Sequence, residues 1–144
     1  MNLFTPPQKL PSNGLKSVFL AGTIDKETGS ENWQKVFYEK LSGYDINIFN
    51  PRRIVFDEKD IHEQITWELD ALEQSTLIAM NFELNSKSVI TLLEFGLYAK
   101  TNKLVVCCPK EFYRYDNIYI TSKYYGVKLF DNKSDLLNEI IKHI

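Results

Sequence analysis

The chain has 144 residues, 44% hydrophobic and 25% charged, with a formal net charge of −2 at pH 7. That balance fits one globular domain with a core of ordinary size and offers no basic field for a nucleic-acid polymer. No apolar run approaches the roughly 20 residues of a membrane span, and the start lacks the charged-then-apolar order of a secretory leader.

Residues 1–16, "MNLFTPPQKLPSNGLK", hold three of the five prolines and predict an irregular N-terminal arm, with residues 17–144 as a single α/β domain. "SVFLAG" (17–22) reads as a buried strand closed by Gly22. A helix over 30–42 follows, since Trp33, Val36, Phe37 and Leu41 fall on one helical stripe. "DINIF" (45–49) is the second strand and "NPRR" ends it. A helix over 60–75 has Ile61, Ile65, Leu69 and Leu72 as its expected core stripe, with Asp60 and Glu63 as a capping box. "TLIAMNF" (76–82) is the third strand, "ELNSKS" a loop, and residues 88–100 a helix apolar on nearly every side. "NKLVVCC" (102–108) is the fourth strand, and its adjacent Cys107 and Cys108 point to opposite faces. They read as buried thiols rather than a vicinal disulfide or metal pair, so the expected compartment is reducing and cytoplasmic. A long aromatic loop with a helical turn, "PKEFYRYDNIYITSKYY", leads to strand five, "GVKLF" (126–130), and to a last helix capped by Ser134.

Strands and helices alternate, and the strands are almost wholly apolar. This predicts a flavodoxin-like, doubly wound, parallel five-stranded sheet in order 2-1-3-4-5 with helices on both faces. Such sheets bind ligands at the carboxyl ends of their strands. That edge gathers "AGTID", "NPRR", "NFELNSKS" and "PKEFYRYDN".

The helix over 88–100 carries one carboxylate, Glu94, whose helical neighbours Ile90, Thr91, Leu97 and Tyr98 include no cation. It starts at the carboxyl edge, so Glu94 can face the cleft. Arg52 or Arg53 of the neighbouring turn can hold it ionised, and an ionised, partly desolvated carboxylate is what covalent glycosyl transfer requires. The plain alternative is a Glu that reaches solvent or pairs with an internal Arg. "NPRR" likewise has the bland reading of a solvated Asn-Pro turn. "AGT" is too short for a dinucleotide fingerprint. Trp67, Asp70 and Gln74 share one helix side with Glu68 beside the core stripe: a solvated face, or an aromatic and a carboxylate facing a base. His62 and His143 are peripheral, so no zinc site or His-based triad is expected.

Taken in order, "VFLAGTID", Trp33, "NPRR", "QITWEL", "ITLLEFGLYAK" and "FYRYDN" resemble the nucleoside 2-deoxyribosyltransferase family, in the branch with an Asn-Pro-Arg-Arg turn. The resemblance runs from about residue 17 to residue 137. It implies transfer of 2-deoxyribose between nucleobases through a covalent deoxyribosyl-enzyme, with no cofactor and no metal. Glu94 in "LLEFG" falls on the family's nucleophile. Phe19, Gly22 and Asp25 fall on the substrate-contacting turn, and Asn50, Arg52 or Arg53 on the residue that orients the nucleophile. Asn117 falls on an Asn that reaches the sugar's 5′ end in a neighbouring subunit's site, which implies a homodimer or higher homo-oligomer sharing active sites.

The chain departs from the pattern at Ser88, where some members carry Asp, and at Ser75-Thr76, where others carry Ala-Asp. The acid that handles the base must then be Glu68 or Asp70. The partners implied are a 2′-deoxynucleoside, or its 5′-monophosphate, and a free base. Two other readings stand beside transfer. One is an N-glycoside hydrolase whose Arg53 or Arg114 meets a phosphate. The other is a non-catalytic nucleotide-binding protein.

Overall fold

The structure is a computed structural model that describes residues 1–24, 31–53, 55 and 57–144; Asp25 lies outside the described residues. The strands are β1 (Asn2–Phe4), β2 (Ser17–Gly22), β3 (Asn47–Phe49), β4 (Leu77–Asn81), β5 (Leu104–Cys107) and β6 (Lys128–Phe130). The helices are α1 (Trp33–Lys40), α2 (Ile61–Gln74), α3 (Val89–Tyr98), α4 (Tyr115–Tyr125) and α5 (Lys133–His143), and a 3₁₀ turn at Glu58–Asp60 leads into α2. The α/β class with a parallel sheet is as expected, but the sheet is not the five-stranded 2-1-3-4-5 arrangement. It has six strands in order β1-β3-β2-β4-β5-β6, paired in parallel throughout.

The added strand comes from the segment expected to be irregular. Without it β3 would present an open row of backbone groups at the sheet edge. Instead Asn2 donates its backbone N–H to Ile46 at 2.8 Å, and Asn50 donates to Phe4 at 2.9 Å. Side-chain amides lock the arm down. Asn2 and Asn13 each donate to the Asn47 side-chain carbonyl at 3.1 Å, and Asn47 donates back to Asn13 at 2.8 Å.

Two apolar layers sandwich the sheet. One packs Trp67, Ala71 and Leu72 of α2, Phe95 and Tyr98 of α3 and Ile118 of α4 against Phe19, Ile78 and Met80. The other packs Trp33 and Phe37 of α1 and Leu136, Leu137 and Ile140 of α5 against Val18, Leu20 and Val105.

Two helices differ from expectation. The aromatic segment is a helix over eleven residues, buried through Ile118 and Ser122 and stopped by Gly126 at φ 72°. In α2 the supposed core stripe is turned outward: Ile61, Ile65 and Leu69 are 42%, 48% and 43% exposed. Of the expected stripe only Leu72 is buried, and Gln64, Trp67 and Ala71 join it on the inner face. The arm explains part of this rotation, because the Trp67 indole donates to the Gln8 carbonyl at 2.7 Å and its ring meets Phe19 at 6.4 Å.

Gly22 ends β2 with φ +129°, and a Cβ there would stand 2.2 Å from the Asn81 carbonyl oxygen of β4. Only glycine allows that approach. Gly22→Ala is expected to cost at least about 3 kcal/mol and lower the melting temperature by roughly 10 °C. A melting curve close to that of the parent would show that the two strands are not so near.

Candidate active site

β2, β3 and β4 end together at Gly22, Phe49 and Asn81, and the loops beyond them line a cleft of about 620 Å³. Its walls are Phe19 and Gly22–Ile24, Pro51, the first turns of α2 through Glu68, and residues 85–91 with Glu94. Ser88 precedes α3 in the left-handed region, at φ 48° and ψ 44°. A non-glycine residue there is strained by about 1–2 kcal/mol. A hydroxyl cluster holds it: the Ser88 and Thr23 hydroxyls are 2.7 Å apart, and Ser88 donates to the Ser86 hydroxyl at 3.1 Å. The Thr23 hydroxyl also accepts the Glu83 backbone N–H at 3.2 Å. This turn sets the angle at which α3 leaves the cleft.

That angle turns Thr91, Glu94, Phe95 and Tyr98 inward and leaves Val89, Ile90, Leu93 and Leu97 exposed. Glu94 is only 8% exposed. Burial, and then the like charge of Glu68, push its carboxyl from 4.5 up to about 8. Glu68 is raised as well by burial, but a hydrogen bond from Gln64 opposes the rise. Glu94 therefore favours its protonated form at neutral pH, while the Gln64 hydrogen bond works toward ionised Glu68.

Gln64 joins these acids to the "NPRR" turn. Its Nε2 donates to Glu68 Oε1 at 2.6 Å and to the Pro51 carbonyl at 2.8 Å, while its Oε1 accepts Arg53 Nε–H at 2.9 Å. Arg53 also pairs with Asp60 at 3.2 Å and with Glu63. Asn50 shapes the turn by accepting the Arg52 backbone N–H on its side chain at 3.1 Å. Arg52 Nε donates to the buried Gln34 at 2.9 Å. Among the described contacts, neither guanidinium meets Glu94. The groups that shift Glu94 are its apolar surroundings and another acid, not a cation.

The cleft thus brings together Phe19, Gly22, Glu68, Ser88 and Glu94 of the residues singled out by sequence. Asn50, Arg52 and Arg53 line an adjoining hollow of about 780 Å³. Trp67 and Asp70 lie elsewhere, in a groove between α2 and the arm, with Trp67 itself buried in the core. This separates Glu68 from Asp70 as the acid near Glu94. Asn117 sits exposed on α4 beside Gly96 and Arg114, outside the cleft of its own chain. Thr23 and Gln64 are members that sequence reasoning passed over. For Gln64 a signal existed, since it lies one turn before Glu68 on the same helix face. No group of His, Cys, Asp and Glu able to hold a metal occurs among the described residues. No helix among them is long and apolar enough to cross a membrane.

A family model described as nucleoside 2-deoxyribosyltransferase like matches residues 15–112, well over half of the chain. The chain belongs to that family. The match includes Glu94, Glu68 and the "NPRR" turn and stops before Asn117. Among solved structures, the crystal structure of a conserved protein from Enterococcus faecalis V583 superposes with a TM-score of 0.68. The superposition covers 90% of this chain and 99% of that one at 12% identity, and so shows a shared fold. Comparison with curated proteins gave no match.

Because the folded value of Glu94 lies above its ordinary one, folding favours its protonated form. That contribution is complete below about pH 4.5 and fades as pH rises through about 8. Glu94→Gln, which keeps the shape without the charge, is expected to exceed the parent in stability at pH 8 by up to about 4 kcal/mol. The two should converge in acid; parallel stability curves from pH 5 to pH 8 would contradict the burial argument. Glu68→Gln should move the Glu94 titration, followed by carboxyl ¹³C NMR, to lower pH. An unmoved midpoint would show that the two acids do not sense each other.

Proposed function

We propose that the chain transfers 2-deoxyribose between nucleobases, with Glu94 as nucleophile and Glu68 as the acid that serves the base. The observation that carries this reading is two acids lining a single cleft, one of them, Glu94, buried on the inner side of α3. With Glu68 protonated and Glu94 ionised, a Glu94 carboxylate oxygen attacks C1′. The C1′–N bond breaks, its electron pair stays on the base nitrogen, and the base takes the proton from Glu68. The sugar remains as an ester of Glu94. The incoming base then attacks C1′ through nitrogen, the C1′–O bond breaks, the carboxylate returns to Glu94, and the displaced proton returns to Glu68. Substrate binding supplies the condition for this proton placement, because a developing positive charge at C1′ favours the ionised form of the nearer carboxyl.

Arg53 acts in this reading through Gln64. It fixes the amide so that Nε2 points at Glu68, and so orients the acid rather than touching the sugar. Arg52 belongs to the adjoining hollow. Phe19 forms the apolar floor and Ser88 the rim. The reading includes a homodimer or higher homo-oligomer, with Asn117 offered to a partner's cleft. The outward rows Ile61 and Ile65 of α2 and Val89 and Ile90 of α3 both border the cleft and remain exposed, as a surface covered by another subunit would.

The test is incubation with thymidine or deoxyadenosine plus a foreign base, with mass detection of the new nucleoside. Exchange is expected for the parent, a loss of at least about 10³-fold for Glu94→Ala, and a loss of about 10²–10⁴-fold for Glu68→Gln. With the parent, kcat should fall as pH rises above about 8, where the pair loses its last proton. Retained exchange in Glu94→Ala would refute the assignment. Release of free base without any new nucleoside would make the protein a hydrolase instead.

A further inference from the structure

We propose that the Thr91 hydroxyl binds the 3′-hydroxyl of the substrate sugar, on the ring face that Glu94 attacks. This rests on the reading of the Glu94 cleft as the place where C1′ reacts. Thr91 lines that cleft and is 4% exposed. It stands one helical turn before Glu94 on the inner side of α3. Among the described residues its hydroxyl has no hydrogen-bond partner. Nor is that oxygen sealed away, because the fully buried side-chain atoms that lack a partner among the described residues are Gln34 Nε2 and Ser122 Oγ. An oxygen with no protein partner and some contact with solvent, on a residue that borders the cleft, opens into the cleft.

The other hydroxyls bordering the cleft are already engaged. Those of Thr23 and Ser88 are 2.7 Å apart, and Ser88 donates to Ser86 at 3.1 Å. The Thr23 hydroxyl also accepts the Glu83 backbone N–H. Together they fix the turn before α3. Thr91 does no such work, and it does not serve Glu94 either: burial and Glu68 shift the Glu94 carboxyl, and no hydrogen bond contributes. A hydroxyl left unpaired in an apolar cleft has one interaction to gain, a hydrogen bond with an arriving ligand.

The stereochemistry of a nucleoside selects the sugar oxygen that this hydroxyl meets. In a β-2′-deoxynucleoside the base and the C5′ arm project from one face of the ring, and the 3′-hydroxyl projects from the other. A nucleophile that displaces the base enters from the face opposite the base, which is the face of the 3′-hydroxyl. In this reading Glu94 is that nucleophile. Thr91 shares its side of α3, with Cβ atoms about 5–6 Å apart at this helical spacing. Both side chains therefore lie under the same ring face, whereas Glu68, which serves the base, comes from α2. C2′ carries no oxygen, so the first hydroxyl beyond C1′ on that face is the one on C3′. A threonine hydroxyl can donate to it or accept from it.

The test uses the full chain carrying Glu94→Gln, so that binding is read without turnover. Calorimetry compares thymidine with its 3′-deoxy analogue, which lacks only the oxygen in question. Thymidine is expected to bind about three- to tenfold tighter, as one neutral hydrogen bond predicts. Adding Thr91→Val, which exchanges the hydroxyl for a methyl, should bring that ratio close to one by weakening thymidine alone. Thr91→Ser, which keeps the hydroxyl, should retain the preference. A merely structural role for Thr91 would weaken both ligands alike and leave the ratio unchanged. Circular dichroism separates loss of the contact from loss of the fold, and Thr91→Ala reads the same ratio should the valine variant not fold. Equal binding of the two ligands, no measurable binding of either, or a ratio that survives Thr91→Val in a folded protein would overturn the proposal. Deoxyribosyl exchange by the parent alongside such a result would leave Glu94 as nucleophile and sink only the Thr91 contact. A Thr91-dependent preference for the 3′-hydroxyl in a protein without exchange would uphold the contact and sink only the reading of Glu94.

Discussion

The structure depends on one unfavourable contact, two carboxylates placed in the same apolar cleft. Burial alone penalises an ionised Glu94, and Glu68 adds a like charge. A fold with no use for this pair would replace either member by a neutral residue of similar size and gain stability. The arrangement persists because the surrounding side chains over-determine it. Gln64 spends both ends of its amide, Oε1 on Arg53 and Nε2 on the Pro51 carbonyl and Glu68. Rotating that amide would set its oxygen against the Glu68 carboxylate and its NH₂ against Arg53. The ion pairs of Arg53 with Asp60 and Glu63 brace the same group from behind. The Gln64 hydrogen bond favours the ionised form of Glu68, so the electrostatic cost of the pair falls on Glu94, where burial and that like charge both favour the protonated form.

Backbone geometry does the rest of the positioning. The parallel sheet delivers β2, β3 and β4 to one edge, and Gly22 permits β2 to pass so close to Asn81 that no side chain fits between. Thr23, one residue on, then reaches both Ser88 and the backbone of Glu83. Ser88 is held left-handed by those hydroxyls, and α3 leaves at an angle that buries Glu94 while exposing the aliphatic residues beside it. Strain at the first residue before α3 and desolvation in its second turn are therefore consecutive consequences of one close strand pairing.

Much of this was legible in the sequence, for identifiable reasons. Apolar runs bounded by Gly, Pro and Asn marked the strands from β2 to β6. Glu94 stood out because it was the one carboxylate in a helix apolar on nearly every side. The arm strand was not legible: three residues carry no periodicity, and their partner β3 is more than forty residues away in the chain. The aromatic segment concealed α4 because its packing onto the sheet, through Ile118, outweighs a composition of middling helix propensity. The α2 stripe misled because Ile61, Ile65 and Leu69 have helical spacing, yet the polar Gln64 and the bulky Trp67 take the inner face. Gln64 can be buried only because three partners satisfy it, and no spacing rule reports that. The expected pairing of an arginine with Glu94 failed to appear for the same reason. Proximity along the carboxyl edge was readable, but the acids of α2 and the 3₁₀ turn that engage Arg53 first were not.

The two arginines of the turn illustrate how neighbouring identical residues acquire different chemistry. Asn50 tightens the turn through the Arg52 backbone, so successive side chains leave it in different directions. Arg53 goes to α2, where carboxylates neutralise it and its remaining function is geometric. Arg52 goes toward α1, where a neutral amide orients it without cancelling its charge. Moving both carboxylates, Asp60 and Glu63, from the Arg53 side to the Arg52 side would exchange these roles and leave an uncompensated charge beside Gln64. That charge would then act on Glu68 and, through it, on Glu94. The separation keeps the acid pair under the influence of burial and of each other, and leaves the Arg52 guanidinium, which meets no carboxylate among the described residues, in the adjoining hollow.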